Sequence, residues 1–521
     1  MNNNNSIYRC LIVVLLVCIT IEKTYGNTNE YRIVELKSNN SILTQSMLKT
    51  ENTRYIIKND LNLNHTSINI PHNCILVFEG GSLKNGEIIG DFIVHADAVP
   101  IFDDVVCKEL KNPSIPIEWY GAVSYKSLNE AKKGKDSSRA IQNALVSNYR
   151  HRELLFSNGY YRINNTITLN RSYSFKGIGS KNDYSIYSEG NIGSRLVFTG
   201  VGKPMFIVDD DFISFDGFNF YHGSSKDETD CFHFSNIARS LIVKNSMMYL
   251  WRYCIYKEWD GISRTGLNRC RFENVNFSSC IGGVFMNQIK QGKEMYYCTS
   301  NFFDNCTFEH CLFGAYFISN SNFAMNEFNR CNFHNIGWDR YNDKDLYNQF
   351  GCFALRFKCN YTYSQSSHVL VKGCYFEKIA PYKETTIVSS SDEIKIADKV
   401  YPKDDTYYSC IISENNSIVV DGCSFTNCPK YFASDKYCSW DIRENRIFGH
   451  NLKLPSSWNQ KSLLRIFKAT DDVKQGNQRS TIKYSNVLAN NNKYLKQIIS
   501  FEIVEDENRY NVLNMSGDNF K

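Results

Sequence analysis

One short phrase recurs along the middle of the chain and constrains the fold more than any other feature. FFDNCTFEHC at 302–311 has near-copies in FENVNFSSC, FNRCNFHNI, VKGCYFEKI and VDGCSFTNC. When the copies are aligned on their second aromatic position, every anchor is apolar: Phe220, Met248, Phe277, Phe308, Phe333, Phe376, Phe425 and Ile447. Successive anchors lie 22 to 49 residues apart, by subtraction of their numbers. Such a repeat predicts a solenoid, whose units bury their apolar residues only by stacking on one another.

The pattern inside each unit indicates strands rather than helices. The residues five places before the anchors are also apolar, and most residues three places before them are Asn or Gly. Short alternating runs between Asn and Gly turns are typical of strands. We therefore predict an all-β fold, a parallel β-helix from about residue 60 to 490. We expect it to be right-handed, because parallel crossovers usually are.

The cysteines follow the same register. Of the 19 in the chain, several recur two residues before or three residues after an anchor: Cys306, Cys331, Cys374 and Cys423 before it, and Cys280, Cys311 and Cys428 after it. Free cysteine behaves as a small buried hydrophobe, so this spacing favours stacked, unpaired thiols in a narrow core. Disulfides remain the alternative, since the chain carries an export signal.

The ends and the composition set the cellular context. Residues 1–26 have one Arg followed by an apolar run, which is typical of a signal peptide and too short for a confident membrane span. A net charge of +5 over 521 residues does not favour a nucleic-acid partner. We predict an exported protein, in the periplasm, at the cell surface or outside the cell, with no membrane span. Its parts would be an N-terminal β cap (27–117), the β-helix (118–450) and the last coils with a C-terminal cap (451–521).

A second set of motifs precedes the repeats. Helical spacing in DSSRAIQNAL predicts one capping helix near 137–147. Together with WYGA, LLFSNGYYRINNTITL and FKGIGS, this segment resembles the opening of the rhamnogalacturonase/epimerase-like pectate lyase superfamily. The resemblance covers roughly residues 75–200. It implies a parallel β-helix and work on polysaccharides, because members include hydrolases, lyases, epimerases and phage tailspikes.

Three inserts, at 221–230, 334–351 and 377–409, leave the repeats at the same corner and would wall a groove beside the strand that follows each anchor. Alternation along that strand predicts which side chains face outward. The candidate catalytic residues are Glu258, Arg356, Glu414, His233 and Asp435. The candidate substrate-binding residues are Tyr256, Phe285, Asn287, Tyr316 and Trp338.

The chemistry of these columns suggests glycan cleavage. Carboxylates one or two coils apart fall in the range used on glycosidic bonds, and an Arg or His beside a uronate could neutralise it or take a proton. We predict a polysaccharide lyase or glycoside hydrolase; a non-catalytic glycan-binding or surface β-helix is the alternative. The same side chains could instead be solvated charges, a coil-to-coil ion pair and stacked rings that stiffen the sheet.

No metal or cofactor is expected from these motifs. The acidic inserts leave calcium open as a ligand through Asp227, Glu228, Asp230, Asp339, Asp343 and Asp345. The oligomeric state is left open.

Overall fold

The computed structural model describes residues 31–38, 40–147, 153–179, 193–223, 229–235, 238–258, 266–288, 298–319, 323–337, 346, 349–359, 368–379, 408–414, 416–426, 428, 431–435, 439–448 and five strands between 464 and 514. The predicted signal peptide lies outside these residues. The chain divides into two compact units, one of 1–113 with 146–150 and one of 114–145 with 151–521. Among the described helices, none is long and apolar enough to cross a membrane.

The first unit consists of short parallel strands. They are β1 (Arg32–Glu35), β2 (Thr53–Ile57), β3 (Leu61–Asn62), β4 (Ser67–Asn69), β5 (Cys74–Phe78), β6 (Leu83–Ile89), β7 (Phe92–His95) and β8 (Phe102–Lys108), with a 3₁₀ turn at Gln45–Met47. One sheet has the order β1-β2-β5-β7; in the other, β6 pairs with β3, β4 and β8. Alternating strand residues such as Tyr55 and Ile57 are buried, while Arg54 and Ile56 between them are more exposed, as the sequence pattern indicated.

The second unit holds the remaining strands. The first of them are β9 (Ser114–Pro116), β10 (Ser124–Tyr125), β11 (Glu153–Leu155), β12 (Gly159–Ile163), β13 (Ile167–Leu169), β14 (Ser174–Lys176), β15 (Ser194–Phe198), β16 (Phe206–Val208), β17 (Ile213–Asp216), β18 (Phe218–His222), β19 (Phe232–Phe234), β20 (Leu241–Tyr249), β21 (Tyr253–Glu258), β22 (Arg271–Ser278) and β23 (Gly282–Gln288). The middle strands are β24 (Phe302–Asp304), β25 (Thr307–Glu309), β26 (Phe313–Ser319), β27 (Asn326–Asn329), β28 (Asn332–His334), β29 (Cys352–Cys359), β30 (His368–Lys372), β31 (Tyr375–Glu377) and β32 (Tyr408–Glu414). The last strands are β33 (Ser417–Asp421), β34 (Ser424–Thr426), β35 (Phe432–Asp435), β36 (Ser439–Arg443), β37 (Arg446–Phe448), β38 (Leu464–Phe467), β39 (Ser480–Ser485), β40 (Leu488–Ala489), β41 (Phe501–Ile503) and β42 (Tyr510–Asn514).

These strands form a parallel β-helix, which confirms the predicted fold class. Each coil contributes two consecutive short strands, in places merged into one, to a 23-stranded sheet and one strand to an 11-stranded sheet. We call the strands five residues before the anchors the first ladder, those holding the anchors the second ladder, and the 11-stranded sheet the third ladder. The described pairings between coils are parallel apart from the short β10–β12 pair.

The repeated phrase corresponds to the first two ladders and the turn between them. Phe272, Phe303 and Phe328 stack in the first ladder with ring centroids 4.8 and 4.5 Å apart. Phe277 and Phe308, 4.5 Å apart, begin the equivalent stack in the second. The turn residues all have positive φ, between 47° and 80°: Gly217, Asn245, Asn274, Asn305, Arg330, Gly373, Gly422 and Glu444. A left-handed residue is tolerated best by Gly and Asn, which explains their recurrence three places before the anchor.

Two α-helices precede the repeats: α1 (Leu128–Lys133) and α2 (Ser138–Ser147). Helix α2 confirms the predicted helix near 137–147. Helix α1 was not predicted, although its start has the Ser-x-x-Glu signature of a capping box: the Ser127 hydroxyl accepts from Glu130 N at 3.3 Å, and Glu130 Oε2 accepts from the backbone N of the preceding residue, Lys126, at 3.1 Å. Leu128 and Ala131 pack over the outer face of the second ladder in its first coils.

The cysteines stack inside the coils. All sixteen cysteines within the described residues are buried, and none of these sixteen forms a disulfide. The Sγ atoms of Cys306, Cys331 and Cys374 each lie 3.3 Å from a carbonyl oxygen of the preceding coil. This is the predicted arrangement of small buried thiols, one above the other, rather than a framework of bridges.

Candidate functional site

The third ladder carries the predicted site residues in two outward columns. The first column runs His233, Tyr256, Phe285, Tyr316, Arg356, Ile412 and Ala433. The second runs Glu258, Asn287, Ile318, Lys358, Glu414 and Asp435.

The sequence-based register is wrong at one coil. Arg356 was expected in the second column, beside Glu414, but it pairs across the coils with Tyr316 and Ile412 of the first. The slip is two residues: Phe353 pairs with Phe313 rather than with Ala315. It occurs where the insert at 334–351 leads into β29. A shift of two leaves every side chain on the face that alternation predicted. Lys257 lies on the inward face, between the outward Tyr256 and Glu258, and is fully buried.

The middle of the predicted groove floor is not open to solvent, which corrects a second expectation. Phe285, Tyr316 and Ile318 keep only 7–8% of their surface. Phe350 and Leu346 of the 334–351 insert belong to one apolar cluster with these side chains. The rings therefore pack edge to face against one another, with Phe285 and Tyr316 centroids 5.8 Å apart, instead of offering flat platforms for sugars.

Arg356 and Glu414 form a buried ion pair in the same region. Arg356 Nε and one terminal guanidinium nitrogen each lie 2.7 Å from Glu414 Oε1. Both side chains are about 5% exposed, and the guanidinium stacks 4.8 Å from the Tyr316 ring. Lys358 approaches the other carboxylate oxygen at 3.8 Å. Contrary to expectation, neither side chain points to solvent, and the arrangement is that of a structural pair between coils.

The opposite end of the columns is polar: His233 and Glu258 are accessible, whereas Tyr256, at 9% exposure, belongs to the apolar cluster. Asp230, only 3% exposed, accepts two hydrogen bonds from Arg252, at 2.9 and 2.7 Å. His233 Nδ1 lies 3.4 Å from Asp230 Oδ2, and its side chain is 38% exposed. A buried carboxylate held by a guanidinium thus lies behind an exposed imidazole and orients it.

Tyr256 links this histidine to a second carboxylate. Its ring centroid is 4.8 Å from that of His233, and its hydroxyl donates to Glu258 Oε2. Burial, and then the Glu258 carboxylate, raise the pKa of Tyr256 well above its usual value. The phenol therefore keeps its proton at neutral pH, while Glu258 is exposed.

Asn287 completes the arrangement in the next coil. It pairs with Glu258 across the coils, and its side-chain oxygen is buried without a hydrogen-bond partner among the described residues. A buried acceptor without a donor is costly, so this position favours a donor from beyond the described residues.

The structure therefore brings together His233, Tyr256, Glu258 and Asn287. Arg356 lies three coils from Tyr256, and Glu414 lies four coils from Glu258. We call the set Asp230, His233, Arg252, Tyr256 and Glu258 the first centre. It contains a candidate base oriented by a carboxylate, a protonated phenol and an exposed carboxylate, which can move a proton on and off a bound chain.

Asp230 and Arg252 were not predicted as members of this centre. Asp230 was considered only as a calcium ligand, and it instead bonds Arg252 and His233. Both lie where the chain turns into a strand, so alternation along the strand does not place them. The signal available in the sequence was Arg252 itself, a charged residue directly before Tyr-x-x-Tyr (253–256).

Several predicted residues remain untested. Trp338, Asp227, Glu228, Asp339, Asp343 and Asp345 lie outside the described residues. Asp435 is placed in β35 opposite Glu414 by its backbone alone. Within the part of the chain that is described, no group of three or more His, Cys, Asp or Glu residues could hold a metal ion.

Comparisons with known proteins find distant structural neighbours only. No protein-family model and no curated protein matches the chain. The catalytic unit of a GH87 α-1,3-glucanase from Streptomyces thermodiastaticus superposes with a TM-score of 0.40 at 10% identity, covering 78% of this chain and 69% of that one. A mannuronan C-5 epimerase A-module from Azotobacter vinelandii gives 0.29 at 9%, covering 78% and 99%. A tailspike capsular polysaccharide depolymerase from Acinetobacter baumannii bacteriophage Fri1 gives 0.31 at 11%, covering 78% and 65%.

Proposed function

We propose that this chain is an exported polysaccharide lyase that cleaves a uronate-containing polysaccharide at the first centre. The observation that carries the proposal is the pairing of an oriented, accessible His233 with the protonated hydroxyl of Tyr256, 4.8 Å away between ring centroids. A base and an acid on one face are what proton removal and leaving-group protonation require.

The step balances with these two groups. His233 takes the proton from the carbon beside the uronate carboxyl, and the electron pair of that C–H bond becomes the new C=C bond. The glycosidic C–O bond on the neighbouring carbon breaks, and its oxygen leaves with the proton of Tyr256. Glu258, hydrogen-bonded to the phenol, returns a proton from solvent, while Arg252 holds Asp230 in place behind His233.

Hydrolysis by two carboxylates is less well supported by the same geometry. An acid/base pair on a glycosidic bond needs two accessible carboxyl groups on either side of it. Of the two carboxylates in the first centre, Asp230 is 3% exposed and both its oxygens are bonded to Arg252, which leaves Glu258 without a partner for that mechanism.

A panel of acidic and neutral polysaccharides tests the proposal. Wild-type protein is incubated with each, and products are assayed for unsaturated uronate absorbance and for new reducing ends. A lyase gives both signals on a uronate-containing member. Reducing ends without unsaturation would indicate a hydrolase, and retention without products would indicate the non-catalytic alternative; either result contradicts the proposal.

A further inference from the structure

A second group of polar side chains lies on the outer face of the second ladder, next to the first centre's sheet. Ser278, Glu309, His334 and Glu377 follow one another in register on β22, β25, β28 and β31. The same face is covered by helix α1 in the first coils, but here it carries ionisable side chains.

Glu309 is a buried carboxylate with two donors. Its side chain is 6% exposed; Oε1 accepts from Asn276 Nδ2 at 2.8 Å, and Oε2 lies 3.0 Å from His334 Nε2. His334 is 23% exposed, so the imidazole stands between the buried carboxylate and the surface. Its other ring nitrogen faces the Asn335 amide at 3.2 Å, a contact that a substrate could replace.

The neighbouring strand supplies a phenol paired with a second carboxylate. Tyr375 Oη donates to Glu377 Oε2 at 3.2 Å, and Glu377 pairs with His334 across the coils. Burial is the main cause that raises the pKa of Tyr375, with Glu377 adding to it. Lys378 Nζ lies 3.7 Å from Glu377 Oε1 and provides a partly exposed cation.

This group shares two kinds of contact with the first centre, although here Glu377 rather than the phenol lies opposite the histidine. In both, a carboxylate less than a tenth exposed orients a more exposed histidine: Asp230 for His233, and Glu309 for His334. In both, the strand beside the histidine carries Tyr-x-Glu, whose hydroxyl donates to the Glu: Tyr256 to Glu258, and Tyr375 to Glu377. The two sets are on different ladders and share no residue.

We propose that Glu309, His334, Tyr375 and Glu377 form a second acid/base centre, which binds and cleaves the same class of uronate-containing polysaccharide. Only the class of substrate rests on the proposed function; the centre itself rests on its own contacts. His334 takes the proton beside the uronate carboxyl, the C=C bond forms as the glycosidic C–O bond breaks, and Tyr375 protonates the leaving oxygen.

The test uses the full chain with the first centre disabled by His233→Gln and Tyr256→Phe. Residual elimination is measured on polygalacturonate and on alginate. Retardation in native gels cast with each polysaccharide is measured beside it, with dextran as the neutral control. His334→Gln and Tyr375→Phe are added to this background. Glu327→Gln, on β27 in the same coil as His334, is the matched control. Circular dichroism verifies that each variant keeps its β signal.

We expect His334→Gln to lower residual elimination by about 10²-fold and to weaken retardation, and Tyr375→Phe to lower elimination alone. The control should change neither. The second centre is overturned if His334→Gln and Tyr375→Phe stay within about twofold of the control in both readouts, or if the background variant neither cleaves nor is retarded. Should wild type cleave nothing, the proposed function fails, and retardation that depends on His334 would still support the second centre.

Discussion

Arg356 and Glu414 meet at 2.7 Å in a buried ion pair on the outward face of the third ladder, although 58 residues separate them in the chain. A buried ion pair is costly to break from one side, because the remaining charge stays buried without its partner. The pair therefore contributes to stability rather than to chemistry in our account, and the two roles predict different outcomes on mutation.

Replacing Arg356 by Met should lower the free energy of unfolding by about 3–5 kcal/mol, the usual cost of leaving a buried charge unpaired. Chemical denaturation followed by circular dichroism measures the change. The double variant Arg356→Met with Glu414→Leu should recover most of the loss, since no charge is left behind. A single variant of full stability but greatly reduced turnover would return Arg356 to the catalytic role first predicted.

Lys257 should make stability depend on alkaline pH. Burial lowers its pKa to about 8, while its Nζ donates to the Ser235 and Ala238 carbonyls. An unfolded lysine titrates near 10.4, so between these values the unfolded chain binds more protons and stability rises with pH. Below about pH 8 both states are charged, and the full cost of burial applies.

The matched variant is Lys257→Met, which removes the charge and keeps the length of the side chain. The difference in unfolding free energy, wild type minus variant, should increase by about 3 kcal/mol from pH 7.5 to 10.5, as a shift of this size implies. Taking the difference removes the contribution of other titrating groups. A difference that does not change over this range would contradict the lowered pKa of Lys257 in the folded protein.

The stacked cysteines predict slow thiol chemistry in the folded state. Burial raises the pKa of thiols such as Cys331 and Cys374 far above the usual value, so the reactive thiolate is scarce. Titration with a thiol reagent should detect few thiols under native conditions and most of them after unfolding in denaturant without reductant. Fewer than about four thiols after unfolding would contradict unpaired burial, which is the expected behaviour of free Cys in cores.

The fold was largely predictable, because one pattern appears in every coil. An apolar anchor, an apolar residue five places earlier and a left-handed turn residue specify two ladders without any long-range information. Arg330 and Glu444 occupy that turn with positive φ although neither is Gly nor Asn, so single coils depart from the pattern while stacking preserves the geometry.

The candidate site was predictable only in part. Alternation placed His233, Tyr256 and Glu258 on one face, but the length of the 334–351 insert hid the two-residue slip that moves Arg356 to the column of Tyr316. The exposure of these side chains was misjudged because an insert can cover the outward face of a strand, as Phe350 and Leu346 do here. Corner residues such as Asp230 follow neither period.

The measurement that tests the central claim most directly is turnover of Tyr256→Phe on the polysaccharide that wild type cleaves, with His334→Gln present in every variant so that the second centre is silent. The substitution removes one hydroxyl and keeps the ring that packs beside Phe285. We predict a loss of about 10²- to 10⁴-fold in kcat, as expected for a general acid, with unchanged denaturation. His233→Gln should lose as much, and Glu327→Gln should be unaffected. Near-normal turnover in both Tyr256→Phe and His233→Gln would contradict the assignment of the first centre.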